Sequence, residues 1–233
     1  MSDTSPKLSL PLVAAEQAQK HVTVNEALTS LDALVHLSVI DADLTSPPGS
    51  PAEGDRYIVA SPATGDWAGE ENAVAVHDSG AWVFHQAQKG WRAWVEDEGY
   101  DVIHDGSAWL AATAYSTNAA TIGFQVVEEE LSLSGATTDS TVTIPDRAIV
   151  FGVSTRTTEA VTGATSYECG VVADTGKFGS LLGSAPNSTN SGVVGPTAYY
   201  AATPVRLTAN GGNFTGGKVR IAIHFLFCGV PGS

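Results

Sequence analysis

All five tryptophans fall between residues 67 and 109: Trp67, Trp82, Trp91, Trp94 and Trp109. The same stretch contains an internal repeat, Val76-His-Asp-Ser-Gly-Ala-Trp82 and Ile103-His-Asp-Gly-Ser-Ala-Trp109, with a period of 27 residues. Each copy places Asp with Gly and Ser where a hairpin turns, and Trp at the head of the return strand. Residues 53–112 therefore read as short strands separated by turns. Indole rings on such a module serve either as stacking platforms for sugars or bases, or as the core of a domain too small to build one from aliphatics. The repeated or repeat-flanking positions of Trp82, Trp91 and Trp109 favour the core. Trp91 and Trp94 are an odd number apart, so strand alternation sends them to opposite faces.

Around this module the chain divides by composition. Residues 1–115 carry 17 acidic and 5 basic residues, and residues 116–233 carry 8 and 6. A net charge of −14 argues against a nucleic-acid backbone or anionic lipid as the main partner. At 233 residues the chain can hold one large domain or two small ones. The longest apolar stretch, Ile221–Val230, is interrupted by His224 and is too short to cross a bilayer, so no membrane insertion is expected. The opening Met-Ser-Asp-Thr-Ser-Pro lacks a basic segment followed by an apolar one, which points to synthesis in the cytoplasm. On that ground Cys169 and Cys228 are expected to be two buried free thiols.

Thr23-Val-Asn-Glu26 has the form of a capping box opening a helix. Val24, Ala27, Leu28, Leu31, Leu34 and Val35 then form one helical face. That face either packs on its own domain or bundles with copies of itself. Ser46-Pro-Pro-Gly-Ser-Pro51 ends the segment. Beyond a small-residue connector at 113–122, Gly, Ser and Thr make up 44 of the last 118 residues. Alternation in Leu131–Ser134 and Thr141–Ile144, with buried-strand runs at Ala148–Phe151 and Val219–Phe227, indicates a sandwich or jelly roll. The expected fold is mainly β, in three parts. These are an N-terminal anchoring segment with a helix (1–45), a small Trp-rich β-hairpin module (46–115) and a C-terminal β-sandwich of jelly-roll type (116–233).

No catalytic or cofactor motif is present. Gly211-Gly-Asn-Phe-Thr-Gly-Gly217 has strand pattern on both sides and reads as a tight turn rather than a phosphate loop. Glu128-Glu-Glu130 supplies carboxylates, but neighbouring strand residues alternate faces, so the run alone makes no glycosidase pair. His77-Asp78 and His104-Asp105 are compatible with a metal site, but turns in which Asp bonds local amides are commoner. No cysteine–histidine spacing resembles a zinc site, so neither a metal nor a cofactor is expected. For sugar binding the candidates are Tyr199, Tyr200, Arg206, Asn210 and Asn213. Aromatic faces cover the apolar side of a sugar ring, and amides and guanidinium groups bond its hydroxyls. Tyr199 and Tyr200 read equally as packing residues, one inward and one outward.

Lys7-Leu-Ser-Leu-Pro-Leu-Val-Ala-Ala-Glu-Gln-Ala-Gln-Lys-His-Val-Thr-Val-Asn-Glu-Ala-Leu28 resembles the start of a domain of unknown function found in prophage and gene-transfer-agent proteins. The resemblance continues through Pro51–Ala60, Thr64–Gly69 and Gly90–Trp94, covering roughly residues 7–112. Val161–Ser166 and Thr203–Gly212 resemble the C-terminal part of longer members. The resemblance implies a head spike or tail fibre of a phage-like particle. It also implies a homotrimer, anchored to other particle proteins by its N-terminal segment, whose β-rich head grips capsular polysaccharide on a recipient cell. Such a chain would be made in the bacterial cytoplasm and released with the particle. The alternatives are a structural adaptor linking the particle to another fibre protein, and a polysaccharide depolymerase.

Overall fold

The computed structural model describes residues 4–12 and 20–232. They form a mainly β chain with one N-terminal helix, and they fall into two compact units, 1–112 and 113–233. No helix among the described residues is long and apolar enough to cross a membrane.

The first unit opens with α1 (Lys20–Leu34). Because the helix already includes Lys20, Thr23 lies inside it rather than at its N-cap; the Thr23 side chain lies outside the described residues. The strands are β1 (Ser38–Val39), β2 (Arg56–Ile58), β3 (Val74–Asp78), β4 (Ala81–His85), β5 (Arg92–Val95), β6 (Tyr100–His104) and β7 (Trp109–Ala111). They make two small sheets, β2-β3-β4 and β1-β5-β6-β7, with β1 parallel to β5. The 27-residue repeat is the pair of hairpins β3–β4 and β6–β7. His77 faces Trp82 in one and His104 faces Trp109 in the other, and the rings of each pair meet edge-on at 5.1 Å.

The two turns differ because the Ser and Gly between Asp and Ala are transposed. Ser79-Gly80 takes positive φ at both positions and closes a two-residue loop. Gly106-Ser107 instead sits in a four-residue loop. There Asp105 accepts hydrogen bonds from the Ser107 and Ala108 amides, which with the Ser107 hydroxyl hold its carboxyl below the usual range.

The tryptophans are mostly core. Trp67 is fully buried and makes a tilted or edge-on cluster with Tyr57 and Trp82, at centroid distances of 5.2–5.8 Å. Trp91 and Trp109 pack against a second cluster with Val39, Val74, Val95 and Val102. Trp94 points away and is 44% exposed. Ala33 and Leu37 belong to that second cluster, so residues of the 1–45 segment share a core with the hairpin module rather than standing apart.

Two buried charged residues lock this end of the helix. The Arg56 guanidinium donates to the Ala33 carbonyl at 2.9 Å and to Ser38 Oγ at 2.8 Å. Asp32 accepts from Ser5 Oγ and from the Lys7 and Leu8 amides, tying the N-terminal turn to α1. Burial pushes the Asp32 carboxyl up, but these hydrogen bonds and nearby Arg56 outweigh it and hold the group low. The apolar face read from the sequence is split: Leu34 packs on the core, whereas Val24, Ala27, Leu31 and Val35 are exposed.

The second unit contains β8 (Ala114–Tyr115), β9 (Thr121–Ser132), β10 (Thr137–Ile144), β11 (Ile149–Thr162), β12 (Ser166–Val171), β13 (Asp174–Leu182), β14 (Thr189–Asn190), β15 (Val193–Ala198), β16 (Thr203–Asn210) and β17 (Gly216–Cys228). One sheet runs β10-β16-β12-β13. The other runs β14-β11-β17-β9-β8, with β15 also paired to β11. Apart from the short β8, and with β14 and β15 counted as one broken edge strand, the strands number eight in chain order. The sheets then read 6-3-8-1 and 2-7-4-5, which is the order of a jelly roll.

One continuous core lies between the sheets, including Ile144, Val150, Val153, Tyr167, Cys169, Val205, Leu207, Val219, Ile221 and Ile223. Inside it Thr157 is fully buried; its hydroxyl donates to the Gly183 carbonyl at 2.9 Å and lies 3.1 Å from Tyr167 Oη. Val219–Phe227, read from sequence as a buried run, is buried on one face only: Val219, Ile221, Ile223 and Phe225 point inward, while Arg220, Ala222, His224 and Leu226 lie on the other face. Both cysteines are free, but only Cys169 is buried, and burial pushes its thiol up to about 12. Cys228 is exposed because it ends β17 at the rim, which corrects the expectation of two buried thiols.

Candidate ligand-binding surfaces of the jelly roll

The five residues singled out for sugar binding are dispersed along β16 rather than gathered. Tyr199 and Tyr200 precede the strand. Tyr199 packs against the core, and its buried hydroxyl has no partner among the described residues; burial, then the charge of Asp174, pushes that phenol up. Tyr200 is 82% exposed. Arg206 lies in mid-strand, on the face turned away from the core, and is held by Asp139 of β10 through two bonds of 2.6 and 2.7 Å. The Arg206 bond draws the Asp139 carboxyl below its usual range against the opposing effect of burial. Asn210 closes the strand with its amide nitrogen buried and unpaired, and Asn213 is exposed in the following turn. Seven residue steps of about 3.3 Å separate the two ends of β16, so the tyrosines and the asparagines cannot share one saccharide subsite.

The structure does bring other residues together. On the outer face of the larger sheet, Glu128 of β9, Ser154 and Arg156 of β11, Thr189 of β14 and Arg220 of β17 line an open groove of about 420 Å³. Strand alternation puts them there: Arg156 and Arg220 are register partners, as are Ser154 and Ala222, and Ala222 and Glu128. Gly192 makes the groove's rim possible. It adopts φ +57°, and a Cβ there would sit 1.8 Å from the Val153 carbonyl oxygen, so only glycine lets the β14–β15 edge approach β11. Asn190, the register partner of buried Thr155, turns its amide to the inner side instead, donating to the Phe178 carbonyl at 2.8 Å and anchoring β14. Beside the groove, the same sheet face carries an apolar row, Ile122, Phe124 and Val126, all exposed, with Phe124 lying 6.2 Å from the ring of Phe151.

The acidic run separates as strand geometry requires. Glu129 turns towards β10 and accepts from the Thr141 amide and hydroxyl and the Val142 amide. Glu128 and Glu130 share the outer face, with Arg220 4.0 Å from the first and 3.1 Å from the second. Ser154 Oγ and His224 Nε2 are 3.0 Å apart. A serine nucleophile also needs an acid that orients the histidine, and among the described residues no carboxylate lies within salt-bridge distance of His224. The described residues also contain no group of three or more His, Cys, Asp or Glu able to hold a metal. His77 and His104 instead meet their tryptophans edge-on.

Sequence reading missed Arg156, Arg220 and Thr189. The available signal was modest: Arg156 and Arg220 are two of only six basic residues in a low-charge half, Arg220 set within an apolar alternation and Arg156 within a run of Ser and Thr. Their mutual register is a long-range property and has no local signature.

Residues 24–110 match the family described as "Protein of unknown function (DUF2793)". Among solved structures, a chain of the cyanophage Pam1 capsid asymmetric unit is similar at 19% identity and a TM-score of 0.37, covering 52% of this chain and 94% of that one. No curated protein matches.

Proposed function

We propose that this chain is a non-enzymatic spike or fibre component of a phage-like particle, of the gene-transfer-agent kind, that binds capsular polysaccharide through its jelly-roll unit. The observation that carries the reading is the groove on the outer sheet face, where hydroxyl, carboxylate and guanidinium groups converge on an open surface. Open grooves with planar polar groups suit an extended polymer of hydroxylated rings. The resemblance of residues 7–112 to prophage and gene-transfer-agent proteins supplies the particle context. The exposed residues Val24 and Leu31 of α1, with Val35 just after it, supply a face for association with copies of the chain or with other particle proteins. A homotrimer would then present three grooves, so that weak contacts add through effective concentration. Fluorescently labelled chain should stain encapsulated recipient cells and leave capsule-stripped cells dark. Equal staining of both would sink the polysaccharide reading, and a monomeric mass by light scattering would remove the trimer.

A structural adaptor is the second reading, favoured by the exposed row Ile122, Phe124 and Val126. Under that reading the larger sheet docks a protein. Consistent silence on a glycan array, together with loss of particle assembly in Phe124→Ser, would select it.

A further inference from the structure

Arg156 stands in an arrangement that sheets ordinarily avoid. It is directly opposite Arg220 in the β11–β17 register, and like charges in opposed positions destabilise a strand pair. Arg220 is compensated by Glu130 and Glu128. The other arginines of the unit are compensated too: Arg206 by Asp139, and Arg147 by Asp146 at 3.6 Å. Among the described residues of this unit, Arg156 is the arginine with no ion pair. Its neighbour on the far side is Thr189, which brings a hydroxyl and no charge. A planar fork of five N–H donors is therefore exposed in a groove whose walls carry Ser154 and Thr189. A local rule broken without internal compensation marks a place where something outside the chain completes the arrangement.

We infer that the groove takes an acidic sugar residue, its carboxylate paired with the Arg156 guanidinium and its ring hydroxyls bonded by Ser154, Thr189 and Glu128. This rests on the polysaccharide reading and narrows it from capsule in general to a carboxylate-bearing polymer. A carboxylate fits because its two oxygens match the guanidinium fork in two parallel bonds. Glu128 and Glu130 hold Arg220, which leaves Arg156 as the guanidinium open to the ligand. The anionic group could also be a phosphate in a phosphodiester-linked glycan; both present oxygens to the fork, and the test separates them.

The full chain is titrated with polygalacturonate, a phosphomannan and neutral dextran, at low and at physiological salt, alongside Arg156→Gln, Arg156→Lys and Lys177→Gln. The last removes one positive charge from β13 of the opposite sheet and controls for bulk electrostatics. The expected result is binding of polygalacturonate that weakens with salt, falls about tenfold or more in Arg156→Gln, recovers partly in Arg156→Lys and is unchanged in Lys177→Gln. Preference for phosphomannan over polygalacturonate overturns the carboxylate assignment. Equal binding of dextran, or equal loss in Lys177→Gln, overturns the site. If no polymer binds but encapsulated cells are stained, with Arg156→Gln staining as the wild type does, the acidic-sugar inference fails and the capsule reading stands. Staining lost in Arg156→Gln alone supports the site. No staining by any form fails the capsule reading itself. Circular dichroism of each variant confirms that the jelly roll is intact.

Discussion

The two units bury their interiors by different means. In the first, three short strands and four short strands make sheets too small to cover themselves, and the interior is divided into two clusters. Its largest fully buried side chain is an indole, and its helix is held by a buried guanidinium and a buried carboxylate. In the second, long strands face each other across one continuous core of 18 buried residues with no tryptophan. A few aromatic and ionic residues therefore decide the first unit, whereas many interchangeable aliphatic contacts decide the second. That redundancy leaves the outer sheet faces of the second unit free to carry binding chemistry without endangering the fold.

The sharpest way to break this contrast is Trp67→Ala. It should cost the first unit about 3–5 kcal/mol and lower one of two calorimetric transitions while the other stays in place. A single transition shifting as a whole would show that the units do not melt separately.

In the second unit the corresponding test is alkaline. Cys169 keeps its proton in the folded state up to about pH 12, whereas the unfolded thiol ionises near 9. Its contribution is therefore complete below pH 9 and is lost between 9 and 12, at about 1.4 kcal/mol per pH unit. Denaturant midpoints across that range should fall for the wild type and fall less for Cys169→Ala. Identical slopes would contradict burial of the thiol. At neutral pH a thiol reagent should label Cys228 in the native chain and Cys169 only after unfolding.

Thr157→Val probes a polar knot in the aliphatic core. It leaves the Gly183 carbonyl and Tyr167 hydroxyl without their partner and should cost about 1–3 kcal/mol. In the first unit Asp32 gives the matching acid-side test. Its lowered carboxyl adds stability above the unfolded value near 3.8, and that stability is lost as pH falls through the lower folded value. Amide exchange at Lys7 and Leu8 should accelerate in that window, and Asp32→Ala should show the fast exchange at every pH. The smallest effect is expected from Tyr199→Phe, which removes a buried hydroxyl that has no partner and should leave stability unchanged or raise it by about 1 kcal/mol. Lost polysaccharide binding in that variant would return Tyr199 to the candidate site.

Much of the architecture is written locally. The Asp-Ser-Gly and Asp-Gly-Ser turns with their following tryptophans specify two hairpins, because turn chemistry and strand alternation act over a few residues. The alternation from Val219 to Phe227 and the glycine-rich turn before it specify a strand and its start. The transposed serine and glycine even set the two loop lengths, since only glycine and a few polar residues accept positive φ. Tertiary structure decided what depends on register and on which strands become neighbours. It joined the helix to the hairpin module through Arg56 and to the N-terminal turn through Asp32, turned part of the apolar helical face outward, and dispersed Tyr199, Tyr200, Arg206, Asn210 and Asn213 over one strand and the turns at its ends. It also set Arg156 opposite Arg220, residues 64 positions apart in sequence that only the β11–β17 pairing brings face to face. The physical reason is range: propensity and alternation are summed over neighbours in the chain, whereas a groove on a jelly roll is assembled from strands that meet only when the two sheets close over their shared core.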